Sequence, residues 1–218
     1  MKVYDCFTYF DEDLILETRL NILNDYVDYF VIVESTFNHN GERRTLKFDI
    51  SKYEKFKNKI KYIVWDNYPD NIEKISDQDT EIEREQKFIN NAVKRENGQR
   101  NYVMKGIEEA NDEDLILLSD LDEIPSLNNV DLKNIKQKII IFEQTMCYYK
   151  FNLAIPNYKW FGTRACLKKN FKSPQWLRNI KARKYPFFRF DILFNDKKFN
   201  DIKFINKGGW HFTNIKSP

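Results

Sequence analysis

Four short, nearly unbroken apolar runs limit what this chain can fold into: residues 2–10, 29–34 (YFVIVE), 61–65 (KYIVW) and 115–118 (LILL). Runs of this length, rich in β-branched and aromatic residues, suit strands buried on both faces, which occur in parallel sheets covered by helices. Between them, Asp11, Glu12 and Asp13 supply cap and first-turn acids to a helical spacing that reaches Asp25. Residues 81–95 and 102–110 also read as helices, with a break near Asn97-Gly98. The order strand, helix, strand, strand, helix, strand predicts a three-layer α/β sandwich, Rossmann-like, with a mainly parallel central sheet. Further on, residues 138–151 and 160–167 read as strands, and residues 203–213 end in Gly-Gly-Trp-His-Phe-Thr. A basic, aromatic stretch at 168–189 lies between them. With 218 residues and only 6 Gly and 6 Pro, the chain suits one domain, 1–218, without a long linker.

Charge excludes some functions. Lys and Arg total 36 against 33 acids, a formal charge of +3, which is too balanced for a nucleic-acid partner. Cys6, Cys147 and Cys166 are odd in number and far apart, with no CxxC spacing, so a structural zinc site is not expected. No apolar leader opens the chain and no run approaches membrane-spanning length, so the expectation is a soluble, cytoplasmic protein.

In parallel α/β sheets, ligands bind beyond the carboxyl ends of the strands. Three of the four runs end in polar residues there: Glu34-Ser35, Asp66-Asn67 and Ser119-Asp120. The segment 115–125, LILLSDLDEIP, is the most informative of these. An extended backbone would point Asp120 and Asp122 the same way, and Glu123 adjoins them. Carboxylates gathered in a partly desolvated place repel unless a cation compensates, and hard oxygen ligands suit Mg²⁺ or Mn²⁺. By spacing alone, these acids are equally well cap and turn residues. A metal-dependent phosphohydrolase or nucleotidyltransferase would use similar carboxylates.

The segments YDCFTYFDEDLILETRLNIL (4–23), VDYFVIVESTFNHNGERRTLKF (27–48), QRNYVMKGI (99–107), LILLSDLDEIP (115–125) and GGWHF (208–212) occur in order along nearly the whole chain. Together they resemble glycosyltransferase family 17, typified by β-1,4-mannosyl-glycoprotein 4-β-N-acetylglucosaminyltransferases. The resemblance implies a GT-A type fold, with residues 1–125 as the nucleotide-sugar half and 126–218 as the acceptor-side half. It further implies an inverting, metal-dependent transfer of N-acetylglucosamine from its UDP form to a glycan hydroxyl. A non-catalytic carbohydrate-binding relative remains an alternative.

Carried over, Asp120 and Asp122 become the metal and diphosphate pair, with His211 either a third metal ligand or a core residue. Thr8, Tyr9, Glu34 and Ser35 fall where the nucleoside would bind; Tyr9 either stacks on the base or belongs to the core. Arg100 and Asn101 precede the carboxylate strand and are candidate donor contacts, Arg100 as a bidentate diphosphate ligand or as a surface partner of Glu96. An inverting transferase needs a carboxylate to deprotonate the acceptor, and Glu123 and Glu143 are both candidates.

Overall fold

The computed structural model describes residues 1–128, 130–186 and 194–215. Its first half is the expected alternation: β1 (Val3–Tyr9), α1 (Asp13–Leu23), β2 (Tyr29–Ser35), β3 (Ile60–Trp65), α2 (Glu81–Asn101) and β4 (Leu115–Leu118). These four strands lie side by side in the order β3-β2-β1-β4, all parallel. Residue parity divides them into two core layers. Val3, Phe7, Tyr9, Phe30 and Ile32 pack with Leu16, Leu20 and Leu23 of α1, while Tyr4, Cys6, Val31 and Val33 pack with Val103, Ile107, Trp176 and Leu177. Helices on both faces explain why the strands read as continuous apolar runs rather than alternating ones.

The second half holds β5 (Glu123–Pro125), β6 (Ile139–Tyr148), β7 (Ala154–Leu167), α3 (Pro174–Asn179), β8 (Ile202–Ile205) and β9 (Gly209–Thr213). These continue the same sheet as β4-β7-β6-β9-β5, with β8 also on β6. The pairings of β4 with β7, β6 with β7 and β5 with β9 are antiparallel, so the sheet is mainly but not wholly parallel. Because β5 follows β4 after a short turn yet closes the far end of this path, the sheet must curl back on itself. The curl faces residues 119–123 toward β7 and β9. Among the described residues, no helix is long and apolar enough to cross a membrane.

Two local expectations are corrected. The helix does not break at Asn97-Gly98; α2 runs through both, opened by a capping box in which Thr80 and Glu83 bond each other's backbone N–H. Gly98 serves close packing instead, since a Cβ there would lie 2.6 Å from Trp65 Cζ2. Nor do Asp120 and Asp122 continue an extended strand. β4 ends at Leu118, and Glu123 N donates to Asp120 O at 3.1 Å, closing a turn.

Candidate active site

The carboxyl ends of β1 and β4 open onto a cleft of about 840 Å³, which Asp120, Asp122, Arg100, Arg178, Trp160 and His211 help to line. Its foundation is a buried ion pair. Arg19, on the inward face of α1, reaches Asp5 of β1 through Nε at 2.8 Å and Nη2 at 2.6 Å, and neither side chain has any solvent exposure. The same guanidinium donates to Ser119 Oγ at 2.6 Å and to the backbone oxygens of Asp120, Leu121 and Glu123 at 3.0–3.1 Å. One planar cation therefore shapes the acidic turn from beneath, its charge balanced by Asp5.

Above that floor, the three acids have different partners. Asp120 accepts from Arg178 Nη2 at 2.6 Å and from Arg100 Nη2 at 3.1 Å. Burial raises its carboxyl pKa, but Arg178 and then Arg100 outweigh burial and leave it below the ordinary value. Glu123 is fully buried and accepts from both terminal nitrogens of Arg178 at 2.8 and 2.9 Å, from Trp160 Nε1 at 2.7 Å and from Asp120 N at 3.0 Å. For Arg178, burial favours the neutral form, yet Glu123 and Asp120 raise its pKa well above the usual value. Asp122 faces His211, whose Nε2 lies 3.1 Å from Oδ2, and the His211 ring stacks on Trp160 with centroids 4.6 Å apart.

Strand pairing puts His211 there. β9 lies antiparallel to β5 with His211 opposite Glu123, and Phe212 N donates to Asp122 O at 2.9 Å. The close approach depends on Gly209, whose φ is +128° and whose added Cβ would lie 2.1 Å from Ile124 O. His211 Nδ1 is buried without a hydrogen-bond partner among the described residues.

The other expected residues divide. Thr8 and Tyr9 line the cleft, but the Tyr9 ring continues the Phe7 face into the core and its hydroxyl donates to Asp13 at 2.6 Å, so it cannot stack on a base. Glu34 and Ser35 do not line the cleft. Glu34 is wholly buried and accepts from Lys47 N, Phe48 N and the Tyr62 hydroxyl, while Ser35 Oγ accepts from Phe37 N. Arg100 lines the cleft and also pairs with Glu96; Asn101 lies outside it, accepting from Gln175 N at 3.0 Å. Glu143 likewise lies outside, paired with Lys159 at 2.9 Å.

Neither candidate base presents a free carboxylate to the cleft. Glu123 has no solvent-facing lone pair, and Glu143 neighbours Gln144, whose side chain bonds Thr163 beside Glu123, so alternation turns Glu143 to the opposite face.

Several cleft residues escaped the sequence reading. Glu12 holds Phe10 N and Asp11 N through Oε2, and the cleft is also lined by Phe10, Asn38 and Asn40; His39, expected as a loop residue or, by the resemblance, a donor or acceptor contact, lines it as well. The 38–42 turn is secured by Asn38 N to Glu42 O at 2.8 Å and by Arg95 Nη1 to His39 O at 2.8 Å. Arg44 stacks on the Phe10 ring 3.9 Å from its centroid. A lone acid in strand β1 and a lone arginine among the leucines of α1 were the available signal for Asp5 and Arg19. Arg178 carried none, being one of many cations in its stretch.

Among the described residues, no three His, Cys, Asp or Glu side chains converge as a metal-holding group. The donor set nonetheless fits a hard cation that keeps most of its water. Asp122 and His211 converge at the cleft wall, with side-chain exposures of 34% and 11%, and Mg²⁺ usually takes few protein ligands beside substrate phosphates. Asp120 does not join them, because Arg178 and Arg100 hold its two oxygens.

The family model described as glycosyltransferase family 17 matches residues 1–181 of the 218. No curated protein matches the chain.

Proposed function

The chain belongs to glycosyltransferase family 17, and from that membership and the cleft's geometry we propose a metal-assisted inverting transferase of the GT-A type, moving N-acetylglucosamine from UDP-N-acetylglucosamine to a glycan hydroxyl. The observation that carries this reading is the meeting, in one cleft, of the Asp122–His211 pair with the Arg100 and Arg178 guanidiniums around Asp120.

A nucleotide-sugar donor presents a diphosphate, and two guanidiniums already gathered at the cleft wall suit it by planar, charge-assisted hydrogen bonds. Each is oriented beforehand by its carboxylates, and the diphosphate takes over part of that pairing when it binds. Asp122 and His211 would hold Mn²⁺ or Mg²⁺, which when bound supplies charge stabilisation to the departing diphosphate. With its proton on Nε2, His211 donates to Asp122; freeing Nε2 for a metal moves the proton to Nδ1, which has no acceptor among the described residues. That shift costs about 1–3 kcal/mol, so the protein alone binds the cation weakly and the nucleotide must complete the site.

The nucleoside falls to the mouth formed by Thr8, Phe10 and the 38–40 turn, where Phe10 is 37% exposed and offers the ring that Tyr9 cannot. The acceptor proton goes to Glu12. Asp120 and Glu96 are bound to arginine and Asp122 to His211, whereas Glu12 Oε1 has no cationic partner among the described residues. The test is a panel of UDP-sugars assayed for Mn²⁺-dependent hydrolysis and transfer. Turnover of UDP-N-acetylglucosamine above the other donors supports the reading; equal Mn²⁺-dependent turnover of simple phosphate esters sinks it.

A further inference from the structure

On the far side of the Trp160–Arg178 wall lies a second, shallower pocket of about 390 Å³, lined by Tyr158, Lys159, Trp160, Phe161, Arg164 and Arg178. It shares Trp160 and Arg178 with the main cleft. Its distinguishing feature is Arg164, which is only 9% exposed. Arg164 donates Nε to Ile180 O at 3.3 Å and Nη1 to Gly162 O at 2.8 Å, and among the described residues it has no carboxylate partner. Arg178, which carries two carboxylates, donates to the same Gly162 oxygen at 3.1 Å, placing a second cation beside the first.

A buried guanidinium whose own hydrogen bonds reach only carbonyl oxygens, with the Glu123 and Asp120 charges acting on it without contact, is costly, and an anion at its free face improves the balance. Burial and the neighbouring Arg178 hold its pKa down to about 10, so it remains charged at neutral pH. The carboxylates nearby are committed: Glu123 to Arg178 and Trp160, and Glu143 to Lys159. Around this cation stand aromatic surfaces, with Tyr158 47% exposed, of the kind that pack against the apolar face of a pyranose. Cation and aromatic rings together select a sugar that carries a negative charge.

We propose that this pocket is an acceptor subsite for a pyranose bearing a phosphate or carboxylate, with Arg164 binding the anionic group and Tyr158 and Trp160 flanking the ring. Its role as an acceptor subsite rests on the donor reading of the adjacent cleft; its anion selectivity does not.

The test titrates the full chain with glucose 6-phosphate, glucuronate and glucose in the presence of UDP and Mn²⁺, following tryptophan fluorescence and heat. The expected result is binding of both charged sugars at least roughly tenfold tighter than glucose, the ratio one good charged hydrogen bond gives. Arg164→Gln should remove that preference. Tyr158→Ala, at an exposed position, should weaken all three sugars while the fold stays intact. Equal binding of glucose and glucose 6-phosphate overturns the proposal, as does unchanged sugar binding in both Arg164→Gln and Tyr158→Ala. If UDP fails to bind while the charged-sugar pattern persists, the anion site is supported and the donor reading of the neighbouring cleft falls.

Discussion

Replacing Arg178 by alanine is the sharpest structural test of how the acidic turn is held. The side chain is 16% exposed and reaches a Glu123 carboxylate with no exposure at all, through two hydrogen bonds of 2.8 and 2.9 Å. A third, at 2.6 Å, goes to Asp120. Removing one partner of a buried pair strands the other charge, at a cost of about 3–5 kcal/mol. Trp160 Nε1 and Asp120 N still donate to Glu123, which places the expectation near the lower end. For a chain of this size that is a fall in Tm of roughly 6–12 °C.

The difference depends on pH with a fixed sign. Asp120 is depressed in the fold, so the stability its arginines confer is full above the unfolded carboxylate value, about 3.9. It is lost as pH falls through the lower folded value. Denaturant unfolding of wild type and Arg178→Ala at pH 7 and at pH 3 measures this directly. The gap should be full at pH 7 and shrink at pH 3. A gap under about 1 kcal/mol at pH 7, the worth of a surface pair, or one that does not change with pH, would refute the reasoning.

Three further outcomes are expected. Glu12→Gln should lower kcat roughly 100-fold or more, the usual contribution of a general base, while UDP binding holds. Glu143→Gln should leave kcat within about twofold, and a loss matching that of Glu12→Gln would return the base to Glu143. Arg19→Met should destabilise the fold by about 3–5 kcal/mol because it leaves Asp5 buried and unpaired, with Asp5→Asn/Arg19→Met recovering part of the loss in denaturant melts.

Much of the cleft floor was legible because it depends on local pattern. The apolar run 115–118 could hardly be anything but a buried strand, and acids directly after it had to emerge at the ligand-binding edge. Face assignment was harder to read. Glu34 ends its strand as the parallel-sheet rule expects, but it shares the parity of Phe30 and Ile32 and so turns into the α1 layer to hold residues 47 and 48. Tyr9 follows Phe7 inward by the same parity. Residues brought in by the curl of the sheet were less legible still. His211 could be named from its glycine pair and aromatic flanks, but its pairing with Asp122 needed the β5–β9 register. Arg178 arrives on a six-residue helix capped by Ser173, and nothing local separates it from its neighbouring cations.

In the proposed mechanism the Asp122–His211 pair completes a cation site only when a nucleoside diphosphate is present. Calorimetric titration of UDP into the wild-type chain, with Mn²⁺ and with chelator, tests it most directly, alongside Asp122→Ala and His211→Ala. The prediction is that Mn²⁺ tightens UDP binding at least roughly tenfold, about 1.4 kcal/mol, in the wild type, and that both variants bind UDP as the wild type does under chelator. An Asp122→Ala protein that keeps the full Mn²⁺-dependent gain would contradict it.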